Sequence, residues 1–165
     1  MNVFHHSHGS TLSATTASSS SSVERTLRVL GALSVLAVGA VHLQQYFSLY
    51  SSIPMIGTLF VLNFVGATVI GLGLLAPVER LYNRPAGVLP ALLAAGGIGL
   101  AATSFVFLFI SERTPLFGFM EPGYDPTAIL ASRVAEAVAV ISPAAFLVAR
   151  FATARRWGHE SAPLE

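Results

Sequence analysis

Four apolar stretches, each about twenty residues or longer, restrict this chain more than any other feature. At 1.5 Å per residue, such a stretch is as long as a hydrocarbon core of about 30 Å is thick. Backbone groups in lipid must be satisfied internally, and the alternation of a barrel strand is missing, so each stretch is expected to be a helix. The expected spans are about residues 26–47, 54–76, 86–110 and 126–151. "YDPTAIL" gives the fourth a start, with Asp125 as N-cap and Pro126 in the first turn. Pro143 is expected to kink the same helix. Short links favour an all-α, up-down four-helix bundle, an integral membrane domain over 23–157 followed by a tail at 158–165.

The composition agrees with that reading. Hydrophobic residues make up 53% and charged residues only 10%, where a soluble domain carries roughly a quarter charged residues. Mean hydropathy is +0.69. All nine basic residues are arginine and the net charge is +1, so nothing points to nucleic acid as a partner. The partner implied is the lipid bilayer, with a second copy or a membrane-complex subunit as the protein partner. The absence of cysteine excludes disulfides, thiolate metal sites and cysteine nucleophiles together. Residues 1–22 are Ser/Thr-rich and low in complexity, and are expected to form a disordered tail. Its His5, His6 and His8 suit at most adventitious metal binding.

Arginine placement sets the expected orientation. Arg25 and Arg28 precede the first span, Arg80 and Arg84 lie between the second and third, and Arg150, Arg155 and Arg156 follow the fourth. The opposite side has Arg113 against Glu112, Glu121 and Asp125. By the positive-inside rule both termini are cytoplasmic in the cell membrane. Tyr46, Phe47 and Tyr50 then suit an outer aromatic belt. A rival reading takes the run ending in "VGA" as a signal peptide cleaved after Ala40. Against it, the apolar stretch continues for another helical turn.

Small residues at helical spacing mark the expected packing faces: Ala91, Ala95, Gly99 and Thr103 on the third helix, Ala131, Ala135 and Ala139 on the fourth, and Asn63, Ala67 and Gly71 on the second. Polar residues within the spans fall in the outer half. Counting inward, His42 lies about 8 Å deep, Arg133 about 10 Å, and Asn63 and Glu136 about 14 Å. A charge near mid-bilayer costs about 2.5–3.5 kcal/mol even on a lenient scale, so Arg133 and Glu136, three residues apart, are expected to face inward and pair. His42, Gln45 and Tyr46 share a stripe. The candidate ligand-binding set is His42, Tyr46, Asn63, Thr103, Arg133 and Glu136, with no catalytic residue, no metal ligand and no cofactor expected.

"VHLQQYFSLYSSIPMIGTLFVLNFVGATVIGLGLL" resembles a group of small four-span membrane proteins of high-GC actinobacteria, with His-x-x-x-Tyr followed by an IP-x-IG-x-LF-x-LN segment. The matching elements are His42, Tyr46, Pro54, Gly57, Phe60 and Asn63. Similarity to DoxX-like proteins is more distant, in size and helix count alone. The resemblance implies location and fold, and no reaction.

No phosphate loop, zinc-protease motif, nucleophile elbow or dinucleotide fingerprint is present. "GGIGL" reads as helix-packing glycine, and "EPGYDP" as a turn. Three functions remain: a non-enzymatic accessory or structural subunit; a small carrier or ligand- and proton-binding protein with a pocket in the outer half; or a metal- or haem-binding redox protein using His42, with Met55 and Met120 as soft neighbours.

Overall fold

The computed structural model describes residues 10–76 and 88–160, with side chains described over 22–76 and 88–155. The described chain is helical: α1 (Ser10–Ser48), α2 (Pro54–Leu75), α3 (Val88–Ser111) and α4 (Pro126–Glu160), with a 3-10 turn at Tyr50–Ser52 between α1 and α2. Each helix contains a segment long and apolar enough to cross a membrane: Ser22–Ser48, Pro54–Leu75, Val88–Ser111 and Pro126–Arg155. α1 starts at Ser10, inside the stretch expected to be a tail, because extending an existing helix costs far less than nucleating one. It runs without interruption through Ala40, the supposed cleavage site. His5, His6, His8, Arg80 and Arg84 lie outside the described residues.

Neighbouring helices run antiparallel, as their contacts require. Gly39 of α1 lies against Ala67 of α2, while Gly71 of α2 lies against Leu36 and the Ala32 carbonyl. Gly66 and Gly73 meet Leu100 and Leu93 of α3 in the same reversed order. α4 closes the bundle against α1. Gln45 donates to Asp125 at one end (3.2 Å), and Arg150 donates to Glu24 at the other (3.0 Å). α1 and α3 stand on the diagonal and still touch, since a Cβ at Gly97 would lie 3.0 Å from Val35.

The interior holds mainly small side chains, including Ala32, Ala67, Ala94, Ala101 and Ala139, all fully buried. Larger ones point outward, among them Leu62, Val69, Leu92, Phe109, Ile141 and Val148. A water-soluble bundle buries its large apolar residues, whereas helices in lipid gain nothing by hiding them and approach through small ones. The arrangement is compatible with a multi-pass membrane protein.

The α3 packing face differs from expectation, and the α4 face differs at Ala131, since Ala139 is buried and Ala135 packs against the core. On α2, Asn63, Ala67 and Gly71 are buried together. On α3 the buried stripe is Pro90, Ala94, Gly97 and Ala101, while Ala95, Gly99 and Thr103 face out. On α4 Ala131 is exposed, and Ser132, Glu136, Ala139, Pro143 and Phe146 face in. Alanine is cheap on either side of a lipid-facing helix, so a buried carboxylate sets the rotation and the small residues follow. Pro143 sits within α4 without ending it, fully buried, with its ring beside Gly31, where an added Cβ would lie 3.2 Å away.

Residues 112–125 cross the bundle end opposite the start of α1 and the end of α4. Leu116 and Phe119 exchange backbone hydrogen bonds (2.7 and 3.0 Å) around a tight turn with Phe117 at φ 52° and Gly118 at φ 81°. Both central residues are left-handed, the pattern of a type I′ turn. The Glu121 N–H donates to the Ser111 carbonyl (2.8 Å) and ties the loop to the end of α3. Asp125 then caps α4 as expected, its Oδ1 accepting from the Ala128 N–H (2.9 Å).

Candidate functional site

A cavity of about 110 Å³ lies at this loop end, between the four helices and the 112–125 segment. Its polar lining comes from one stripe of each helix. α1 contributes His42 and Gln45, α2 Asn63, α3 Ser104, and α4 Ser132 and Glu136. Tyr50 and Glu121 stand where the connecting segments close over it, and Phe60, Phe107 and Phe119 supply aromatic wall.

Glu136 is the centre of the arrangement. It is 1% exposed, and its Oε1 accepts a hydrogen bond from the Ser132 hydroxyl one turn earlier (3.0 Å). Its Oε2 is buried without a hydrogen-bond partner. His42 faces it from α1, with Nε2 3.9 Å from Oε1. The other ring nitrogen, Nδ1, lies 2.9 Å from the Val38 carbonyl. A carbonyl only accepts, so Nδ1 carries the proton, and in the neutral ring Nε2 presents its lone pair toward Glu136. Phe60 holds the imidazole edge-on, with centroids 5.0 Å apart at 70°. At 3.9 Å the imidazole and carboxylate are too far apart for a direct hydrogen bond.

Asn63 lies on the opposite wall, 8% exposed. Its amide Nδ2 donates to the Ser104 hydroxyl, and its Oδ1 is buried without a partner. Two orphaned acceptors thus line one cavity. Each costs about 1–3 kcal/mol for as long as it goes unpaired, which makes the pair costly as pure scaffold.

Glu121 is satisfied by contrast. The Tyr50 hydroxyl donates to Oε2, and the N–H groups of Gly123 and Tyr124 donate to Oε1 (2.9 and 3.0 Å). Gly123 adopts φ 85°, which lets the chain wrap back onto the carboxylate. Burial, and next the bond to Glu121, push the Tyr50 phenol above its ordinary value of 10.0. Tyr50 therefore stays a proton donor throughout the neutral range.

Of the six residues singled out in the sequence, His42, Asn63 and Glu136 meet in the cavity, and the other three do not line it. Arg133 does not pair with Glu136. It reaches back to Glu112 at the end of α3, with 42% of its side chain exposed. Three residues along a helix leaves about 60° of rotation, enough for Glu136 to point inward while the longer arginine runs to the rim. Thr103 is exposed, and its neighbour Ser104 takes the inward position. Tyr46 is half-buried, with its ring against Phe47 and Gly57. Tyr50, expected in the outer aromatic belt, is buried at 5% exposure, and Gln45 is buried at 6%. Met55 and Met120 are exposed and line no part of the cavity.

Sequence reasoning missed Ser132, Ser104, Tyr50 and Glu121. The first had a signal, since it precedes Glu136 by one turn on the same face. The last two meet only because the loop folds over the turn at Tyr50–Ser52, and no local pattern encodes that.

No family model, no curated protein and no solved structure matches this chain.

Proposed function

We propose that this chain is a small membrane-embedded ligand-binding or carrier protein whose pocket is the cavity between His42, Asn63 and Glu136. The observation that carries the reading is the pair of buried, unpartnered acceptors, Glu136 Oε2 and Asn63 Oδ1, lining the same space. A purely structural subunit has no reason to keep them, because apolar side chains of similar volume pack a bundle interior at lower cost. The metal or haem reading has less support. His42 offers one free nitrogen, and no group of three His, Asp or Glu side chains able to hold a metal converges among the described residues.

The protein sits in the cell membrane with both termini cytoplasmic and the pocket toward the outer face. Support comes from Arg25, Arg28, Arg150, Arg155 and Arg156 near the terminal end of the bundle, against Glu112, Glu121 and Asp125 at the loop end. A second copy or a membrane-complex subunit remains compatible as partner, and the resemblance of residues 41–75 to small four-span actinobacterial proteins adds fold and location only.

Replacing Glu136 by methionine separates binding from scaffolding. Groups kept for function at the expense of stability are stabilised by removal, so Glu136→Met is expected to raise the thermal midpoint in detergent by a few degrees. A midpoint lowered by several degrees would make the carboxylate structural and overturn the reading.

A further inference from the structure

The charge and shape of the cavity specify what it takes. Two carboxyl side chains line it, Glu121 and Glu136, and no arginine does, because Arg133 is drawn out to Glu112 and Arg113 lies over the Phe109 ring. The titratable groups around Glu136 are His42 of α1, Tyr50 of the 3-10 turn, Glu121 of the loop and, outside the cavity on its own helix, Arg133, whose charge still reaches it; α2 and α3 contribute only neutral Asn63, Ser104 and Ser111 to the lining. The two buried side-chain atoms left without a partner are both acceptors, Glu136 Oε2 and Asn63 Oδ1, and Nε2 of the neutral His42 ring turns a third lone pair toward Glu136. A ligand that completes them must donate and need not accept.

The remaining wall is aromatic. Phe60, Phe107, Phe119 and Tyr50 line the cavity, and the Tyr50 and Phe60 rings lie 4.7 Å apart. Ring faces attract cations, most strongly where water is excluded. Carboxylate, neutral acceptors and aromatic wall together match an ammonium head with a short alkyl tail. A primary ammonium has three N–H donors and no acceptor, as the lysine head does. The volume, about 110 Å³, falls below the roughly 150 Å³ cavity that accommodates benzene. The tail is therefore short.

We propose that the pocket binds a small primary organic ammonium ion, with Glu136 as counter-ion, Asn63 Oδ1 as second acceptor and the phenylalanine rings around its alkyl part. This rests on the reading of the cavity as a binding pocket, and the test separates the two. The full chain in nanodiscs is titrated calorimetrically with n-propylammonium, with 1-propanol as the neutral isostere and with propionate as the anion. A ligand of about four heavy atoms binds at best in the tens of micromolar and more often near millimolar. The expected result is binding of n-propylammonium at least about tenfold tighter than 1-propanol, with no binding of propionate. Glu136→Gln should weaken it about ten- to hundredfold, the worth of a hydrogen bond to a charged group. Ser104→Leu, which fills the opposite wall and leaves the carboxylate in place, should also abolish it. Propanol or propionate binding as well as the ammonium, with sensitivity to Ser104→Leu, would overturn the ligand class and leave the pocket standing. No binding by any of the three would overturn both.

Discussion

Tyr50 and Glu121 form a closed polar unit at the mouth of the cavity, and the chemistry of that unit is open to measurement. The phenol donates to a buried carboxyl oxygen whose other oxygen takes two backbone N–H groups. Removing the hydroxyl in Tyr50→Phe strands Glu121 Oε2 and should cost about 1–3 kcal/mol. The cost depends on pH in a known direction. The folded phenol titrates above its ordinary value of 10.0, so its stabilisation is fully present below that pH and is lost as pH rises through the raised value. Denaturation of wild type and Tyr50→Phe should therefore show a constant gap from pH 7 to about pH 9 that narrows by about pH 11. A gap that widens in alkali would contradict the hydrogen-bond assignment. At this scale the legible residues were those that are expensive in a membrane helix wherever they point. His42, Asn63 and Glu136 had to face inward. Arg133 has a long enough stem to escape the same requirement, so its depth along the helix misled.

At the scale of the helices, packing depends on which small residues meet a neighbour. An added Cβ at Gly71 would lie 2.5 Å from Leu36 Cγ and 3.1 Å from the Ala32 carbonyl oxygen, whereas at Gly99 it would meet nothing within 4 Å. Gly71→Ala should destabilise the bundle by about 1–3 kcal/mol as α1 and α2 are pushed apart, and Gly99→Ala should leave it nearly unchanged. Unfolding midpoints of the two variants side by side check this. Equal effects would mean that the α1–α2 contact is not the close one described. Length and hydropathy located all four helices, since those properties belong to each segment alone. The rotation of α3 was not legible for the opposite reason. Ala91, Ala95, Gly99 and Thr103 form as good a small stripe as Pro90, Ala94, Gly97 and Ala101, and only contacts from other helices, such as Val35 and Ile70 against Gly97, select between them.

For the whole molecule, the described residues give the bundle an apolar exterior, an interior rich in small residues and a buried polar cluster displaced toward the loop end. Cleavage after Ala40 would remove Ala32, Val35 and Val38, all fully buried, and with them much of the shared core. The orientation is testable without background, because the natural chain has no cysteine. Ser52→Cys should react with a membrane-impermeant maleimide on intact cells, and Ser161→Cys only after lysis. The reverse pattern would place the pocket toward the cytoplasm. Whether the space between α1, α2 and α4 holds a ligand is read from a high-resolution density map of the protein extracted in native lipid. Non-protein density is expected within hydrogen-bond distance of both Glu136 Oε2 and Asn63 Oδ1. Finding those two oxygens bonded to donors of the protein itself, with the cavity closed by side chains, would contradict it.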